Sequence, residues 1–343
     1  MIQTPQIPPV QYNGPRKYCP VFVVGCHRSG TNLLYDTLLS AGGFAVYRGY
    51  LPIYKMLIPK FGQLGKLENR KKILDTWIRS KGFRRSGLDS DELIASVISQ
   101  CKTGGDFMRI VMDAIAKAQN VSRWAVYDPD NLLHMSRIKM DIPDALFVHI
   151  VRDGRDIALS LEKMGGFTPI PWSRSPRGLE ETALYWQWMI RRGREYGRKI
   201  QADYLEIHYE DLVTHPQNVL STLRQFLDHD LDFEHIQRSS LGSLSRSNSS
   251  FKDERASQPL NRWQERLSPD EVAGLEKLVG GCLREFGYKL MYQDQLSTQN
   301  WQARCMSAVY TALLSTKLWA KTRTPLGKMT DLAELELQDA ALT

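Results

Sequence analysis

Short blocks of continuous apolar residues alternate along this chain with longer stretches whose apolar residues recur every three or four positions. Residues 21–24 (Val-Phe-Val-Val) and 145–151 (Ala-Leu-Phe-Val-His-Ile-Val) have the pattern of parallel strands buried on both faces. Trp124-Ala-Val-Tyr127 reads as another strand, ending at Asp128-Pro129, and residues 204–209 alternate as a strand does. Helical spacing falls between them. Leu33, Leu34, Thr37, Leu38 and Ala41 share a helix that stops at Gly42-Gly43. Residues 155–164, 179–199 and 216–227 predict three more helices, the last with Leu220, Leu223 and Leu227 on one face. Ser268-Pro-Asp-Glu271 predicts a capped helix start, running to about residue 286.

Strands alternating with helices predict an α/β fold with a parallel sheet flanked by helices. Residues 44–123 pattern as a mostly helical, polar insertion, with loops at 79–90 and 102–106. Residues 165–178 and the Ser-rich 239–250 read as further loops. The expected organisation is an irregular arm over 1–18, one α/β domain over 19–295, and a helical tail over 296–343.

The turn after the first strand carries the most chemistry. Gly25-Cys-His-Arg-Ser-Gly30 leads from a strand into a helix beginning near Thr31, so successive backbone N–H groups and a helix N-terminus aim at one spot. The Gly-x-x-x-x-Gly spacing is that of a phosphate-binding loop. Thr31-Asn32 stand where that loop has Lys-Ser/Thr, and the cation, Arg28, lies inside the loop. Such a loop suits a phosphate held without magnesium-dependent cleavage of a γ-phosphate.

A second anion site is readable in Val151-Arg-Asp-Gly-Arg-Asp-Ile-Ala-Leu-Ser160. Arg152 ends a buried strand, where open parallel sheets bind ligands. Ser160 faces the same crevice from the next helix, and a guanidinium with a hydroxyl suits a phosphate monoester. The plainer reading makes Arg152, Asp153, Arg155 and Asp156 a salt-bridge cluster at a helix start.

Taken together, Arg28-Ser-Gly-Thr31, Arg152 with Ser160, Tyr209-Glu-Asp-Leu212 with Pro216 and Phe226-Leu227, and Asn261-Arg-Trp263 resemble the signature segments of the PAPS-dependent sulfotransferases. The likeness spans roughly residues 20–290 and is nearest the bacterial and Golgi-type branch. It implies in-line transfer of a sulfuryl group from 3′-phosphoadenylyl sulfate (PAPS) to an alcohol on a carbohydrate, lipid or small metabolite. In that reading Arg28 holds the bridging and sulfuryl oxygens, and Ser29, Gly30, Thr31 and Asn32 bind the 5′-phosphate through amides and hydroxyls. Arg152 and Ser160 would read the 3′-phosphate, Tyr209 would lie near the adenine, and no metal is needed. Residues 44–123 would line the acceptor site. The family's usual glutamate bases have no counterpart here. Asp128, at a strand end facing the crevice, and His27, inside the loop, are the equal candidates for the proton acceptor, with Asp106 and Tyr50 behind them. Asp128 could instead be a turn cap before Pro129. Two rivals stay open: a phosphate-loop kinase, and a nucleotide-binding homologue without transferase activity.

Charge and cysteine content narrow the setting. A net charge of +7 without a basic-aromatic nucleic-acid signature points to an anionic cofactor or surface and away from nucleic acid. Five scattered cysteines, an absent apolar leader and no long apolar run predict a cytoplasmic protein. In the tail, Trp301, Cys305, Val309, Ala312 and Thr316 share a helical stripe with Arg304, Lys317, Lys321 and Arg323 nearby. Capping of the core is the expectation for that stripe, and peripheral contact with an anionic membrane the alternative. Trp186 and Trp188 read as packing residues, and His134 and His149 as structural.

Overall fold

Five parallel strands, in the order β2-β3-β1-β4-β5, form the centre of the computed structural model. The model describes residues 14–164, 178–239, 260–292, 301–333 and 335. All but the last residue of the expected loop over 165–178 and most of the Ser-rich stretch fall outside those residues, as does most of the arm. The strands are β1 (Val21–Gly25), β2 (Phe44–Ala45), β3 (Arg123–Tyr127), β4 (Leu146–Val151) and β5 (Tyr204–His208). Central β1 and β4 are buried at every position, which explains their unbroken apolar runs. Alternate residues of β1 feed opposite cores. Phe22 and Val24 enter a large cluster with the insertion and tail helices. Val21 and Val23 enter a second one with α1 (Thr31–Ser40).

Strand β2 lies inside the segment expected to be helical. Two residues are too few to leave an alternation, and the strand forms because Gly42 and Gly43, both at positive φ, turn the chain back to pair Phe44 with Arg123. The rest of the insertion is helical: α2 (Ile58–Phe61), α3 (Leu67–Ile78), α4 (Lys81–Ser86), α5 (Ser90–Gln100) and α6 (Gly104–Ala118). Helix α4 occupies the expected loop at 79–90, where the Ser80 hydroxyl caps it by accepting the Phe83 N–H. Gly104 and Gly105 open α6 instead of forming a loop. A Cβ on Gly105 would sit 2.6 Å from the Asp141 carbonyl oxygen, so these glycines serve close packing.

After β3 come α7 (Met135–Asp141) and, past β4, α8 (Gly154–Met164) and α9 (Leu179–Ile200). Tyr209 is the first residue of α10 (Tyr209–Thr214) and not the last of β5. Helices α11 (Pro216–Leu227) and α12 (Phe233–Ser239) back the α1 face. The order closes with α13 (Arg262–Arg266), α14 (Pro269–Glu285), which has the expected Ser268–Glu271 capping box, and α15 (Trp301–Arg323). Among the described residues no helix is long and apolar enough to cross a membrane.

The tail helix corrects one expectation. Its stripe of Trp301, Cys305, Val309, Ala312 and Thr316 is exposed, and the opposite face covers the core. There Tyr310, Leu314 and Leu318 join the large cluster. Ser307 accepts a hydrogen bond from Gln187, and Ser315 accepts one from Trp188 Nε1 at 3.0 Å. Polar partners on α9 select a face that apolarity alone would not.

Candidate active site

The loop between β1 and α1 is shaped by two left-handed residues. Gly30 has φ 98°, and a Cβ there would lie 2.4 Å from the Tyr209 ring, so only glycine fits. Arg28 has φ 71°, a conformation that costs a non-glycine residue about 1–3 kcal/mol and persists where the surroundings enforce it. Ser29 closes the turn: its N–H and its hydroxyl both donate to the Cys26 carbonyl, at 3.1 and 2.5 Å. Ser29 is thereby committed to loop geometry, unlike the ligand role expected of it. The first N–H groups of α1, from Thr31 and Asn32 onward, have no carbonyl a turn earlier to bond and point out of the helix end.

The second expected segment meets this loop directly. Arg28 Nε donates to Ser160 Oγ at 3.0 Å, and Arg152 reaches the Arg28 carbonyl at 3.4 Å. The Arg152 guanidinium lies 4.3 Å from the centre of the Tyr209 ring, so Tyr209 buttresses Gly30 on one side and Arg152 on the other. With only 6% of its surface exposed, Tyr209 acts here as a floor more than as a stacking face.

The two arginines of Arg-Asp-Gly-Arg part company. Arg155 turns into the core, paired with Asp153 at 2.7 Å and Glu276 at 2.5 Å, with the Trp263 ring 3.7 Å away. Arg152 is shared between the crevice and Asp156, 3.1 Å away. The salt-bridge reading of this segment therefore holds for Arg155 and only in part for Arg152.

Asp156 also accepts the Trp263 backbone N–H at 3.0 Å, tying the distant Asn261-Arg-Trp263 stretch to the site. Left-handed Asn261 opens α13, and the Arg262 charge at its start acts on Arg28 and is acted on by Arg152. The Arg262 Nε is buried with no hydrogen-bond partner. Burial, then Arg152 and Arg262, push the Arg28 guanidinium below its usual range; burial and Arg152 do the same to Arg262. Three crowded guanidiniums at a helix N-terminus form a site that an anion relieves. Arg262 was in view in the sequence as part of a segment but carried no assigned role.

On the other side of the loop is an acidic group. His27 Nε2 lies 3.4 Å from one Asp130 oxygen, and Lys55 Nζ is 2.8 Å from the other. Burial would raise Asp130, but His27 and Lys55 hold it well below the usual carboxylate range. Burial pulls the His27 imidazole down, yet the Asp130 carboxylate outweighs it and leaves His27 above its ordinary value. Asp128 caps the turn at 129–134: one oxygen accepts the Asp130 N–H at 3.0 Å. Its other oxygen is buried without a hydrogen-bond partner, and burial next to Asp130 pushes the carboxyl up to about 6. Asp130 had a legible signal, a second carboxylate in Asp-Pro-Asp. Lys55 had none; it enters on a π-helical turn, Ile53–Leu57, of the insertion.

The remaining candidates have the following contacts. Asp106 closes the α6 capping box with Thr103. The Tyr50 ring lies 5.7 Å from Lys55. His149 is fully buried against the Tyr204 hydroxyl at 2.6 Å and, like His134, is pushed down to about 4 by burial. Trp186 is buried and donates to the Arg152 carbonyl at 3.0 Å, which fixes that strand end.

Residues 20–234 match the model of the sulfotransferase family. Among solved structures, the chain is similar to the sulfotransferase domain from the Synechococcus PCC 7002 olefin synthase. That likeness has 20% identity and a TM-score of 0.52, and covers 79% of this chain and 95% of that one. It is also similar to the sulfotransferase domain from the curacin biosynthetic pathway, at 16% identity and a TM-score of 0.48, over 79% of this chain and 98% of that one. No curated protein matches the chain.

Proposed function

Because the chain belongs to the sulfotransferase family, we propose that it moves a sulfuryl group from PAPS to the hydroxyl of an alcohol acceptor. The observation that carries this reading is the meeting of Arg28 with Ser160 and Arg152 at the loop that opens α1. The donor supplies an activated sulfuryl group with two phosphates to hold, and this site offers crowded cations and helix N–H groups for them. Thr31, Asn32 and the amide of Gly30 hold the 5′-phosphate, while Arg152, Arg262 and Ser160 hold the 3′-phosphate. Arg28 meets the charge that develops on the bridging oxygen, the kind of fixed electrostatic contact that supplies most of the catalysis in transfers of this type.

His27 takes the acceptor proton. It is part-exposed beside the loop, whereas the unpartnered oxygen of Asp128 is buried. Asp130 positions the imidazole and raises its affinity for the proton, and Lys55, from the insertion, holds Asp130 in place. This supports the placing of residues 44–123 along the acceptor side.

Titration calorimetry tests the donor. Adenosine 3′,5′-bisphosphate is expected to bind without magnesium and ATP to bind weakly; the reverse would favour a phosphate-loop kinase. Arg152→Ala should weaken the bisphosphate by about 10- to 100-fold, the worth of a hydrogen bond to a charged group, and adenosine 5′-phosphate far less. Equal losses would remove Arg152 from the 3′-phosphate.

The pH profile tests the base. A base works when deprotonated, so kcat/KM should rise with pH through a value above that of ordinary histidine. Asp130→Asn removes the carboxylate that raises His27 and leaves burial, so the acidic limb should move to lower pH. If the parent's limb instead lies near pH 6 and vanishes in Asp128→Asn, Asp128 is the base.

A further inference from the structure

Helix α15 has two apolar faces, and α9 and the core cover one of them. Along the other, Trp301, Val309 and Trp319 are 70%, 67% and 46% exposed. Cys305, Ala308 and Ala312 are exposed with them, and the helical repeat puts all six on one side. At 1.5 Å per residue the two tryptophans stand about 27 Å apart along the axis. A strip of this length that no other described residue covers is not an ordinary surface.

Charge indicates what covers it. On the helical repeat Arg304 and Arg323 flank the strip, Lys317 and Lys321 lie on the far side, and no acidic residue falls between Trp301 and Thr330. A second copy of this chain would bring these arginines together with no carboxylate of α15 to offset them. Lipid phosphates offset them, and indole rings favour the headgroup layer. We propose that α15 docks this protein on an anionic membrane, lying in the interface with Trp301, Val309 and Trp319 inserted. The docking face is joined to the acceptor side of the site. Gly327, just past α15, packs against the Pro59 carbonyl of α2, and Lys60 donates to the Thr330 carbonyl at 2.9 Å. Helix α2 directly follows the turn that carries Lys55. The proposal stands independently of the sulfuryl donor, since vesicle binding is read without it.

Sedimentation of the full chain with vesicles is the test. Vesicles of phosphatidylcholine with added phosphatidylglycerol should bind it about 100-fold more tightly than phosphatidylcholine alone, and raised salt should erase the difference. Trp301→Ser/Val309→Ser/Trp319→Ser should abolish binding while its thermal melt stays near that of the parent, because these side chains are exposed. Arg304→Gln/Arg323→Gln, which leaves the apolar strip intact, should weaken binding about 30-fold. Failure of the parent chain to bind anionic vesicles overturns the proposal, as does binding by both variants as tight as the parent's. A parent dimer that the triple variant dissolves, with no vesicle binding by either, would assign the face to a second copy instead.

Discussion

Arg28→Gly is expected to lower turnover by about 10²–10³-fold, the loss seen when one preorganised contact to developing charge is removed, while the protein melts at the same temperature or higher. The two effects have separate causes. Arg28 holds a left-handed backbone that glycine adopts freely, and its charge is crowded by Arg152 and Arg262. Removing the side chain relieves both costs in the resting protein. The same crowding is what prepares the site for an anion, so stability and activity should move in opposite directions. Steady-state rates with the bisphosphate affinity measured alongside check this. The effect should fall on kcat, because Arg28 acts on charge that appears during transfer. Unchanged turnover would remove Arg28 from the reaction.

Three residues from Arg152, Arg155→Met is expected to cost about 3–5 kcal/mol of stability, the usual result of breaking a buried ion pair from one side. For a domain of this size that is a fall of roughly 6–20 °C in melting temperature. Asp153 and Glu276 are 3% and 1% exposed, and losing Arg155 leaves both carboxylates without their cation. The Lys289 carbonyl loses a donor at 3.0 Å and the Trp263 ring loses its covering cation. Adding Glu276→Gln should recover part of the loss, since one stranded charge goes with it. Chemical denaturation of the single and double variants measures both. An unshifted midpoint for Arg155→Met would mean that the pair is not holding α8 to α14.

The contrast between Arg152 and Arg155 shows where sequence reading reaches its limit. Both arginines stand in one short segment after a buried strand, and local pattern treats them alike. Only the arrival of Glu276 and Trp263 from the far end of the chain draws Arg155 inward. Asp156 does the reverse for the site: by holding the Trp263 N–H it delivers Arg262 to the other two guanidiniums. Ser29 differs in another way. Its hydroxyl looks available in the sequence, but the tight turn that makes the loop consumes it.

Short-range chemistry accounts for the features that pattern alone reveals. Continuous apolar runs set β1 and β4, a glycine at each end of the Gly25–Gly30 turn set the loop, and the Ser268–Glu271 cap started α14. These depend on residues a few positions apart, so pattern records them. The three-arginine cluster, the His27–Asp130–Lys55 group and the outward face of α15 depend on which surfaces the fold brings together. Burial and charge at those meetings are properties of space, and no single stretch of the chain carries them.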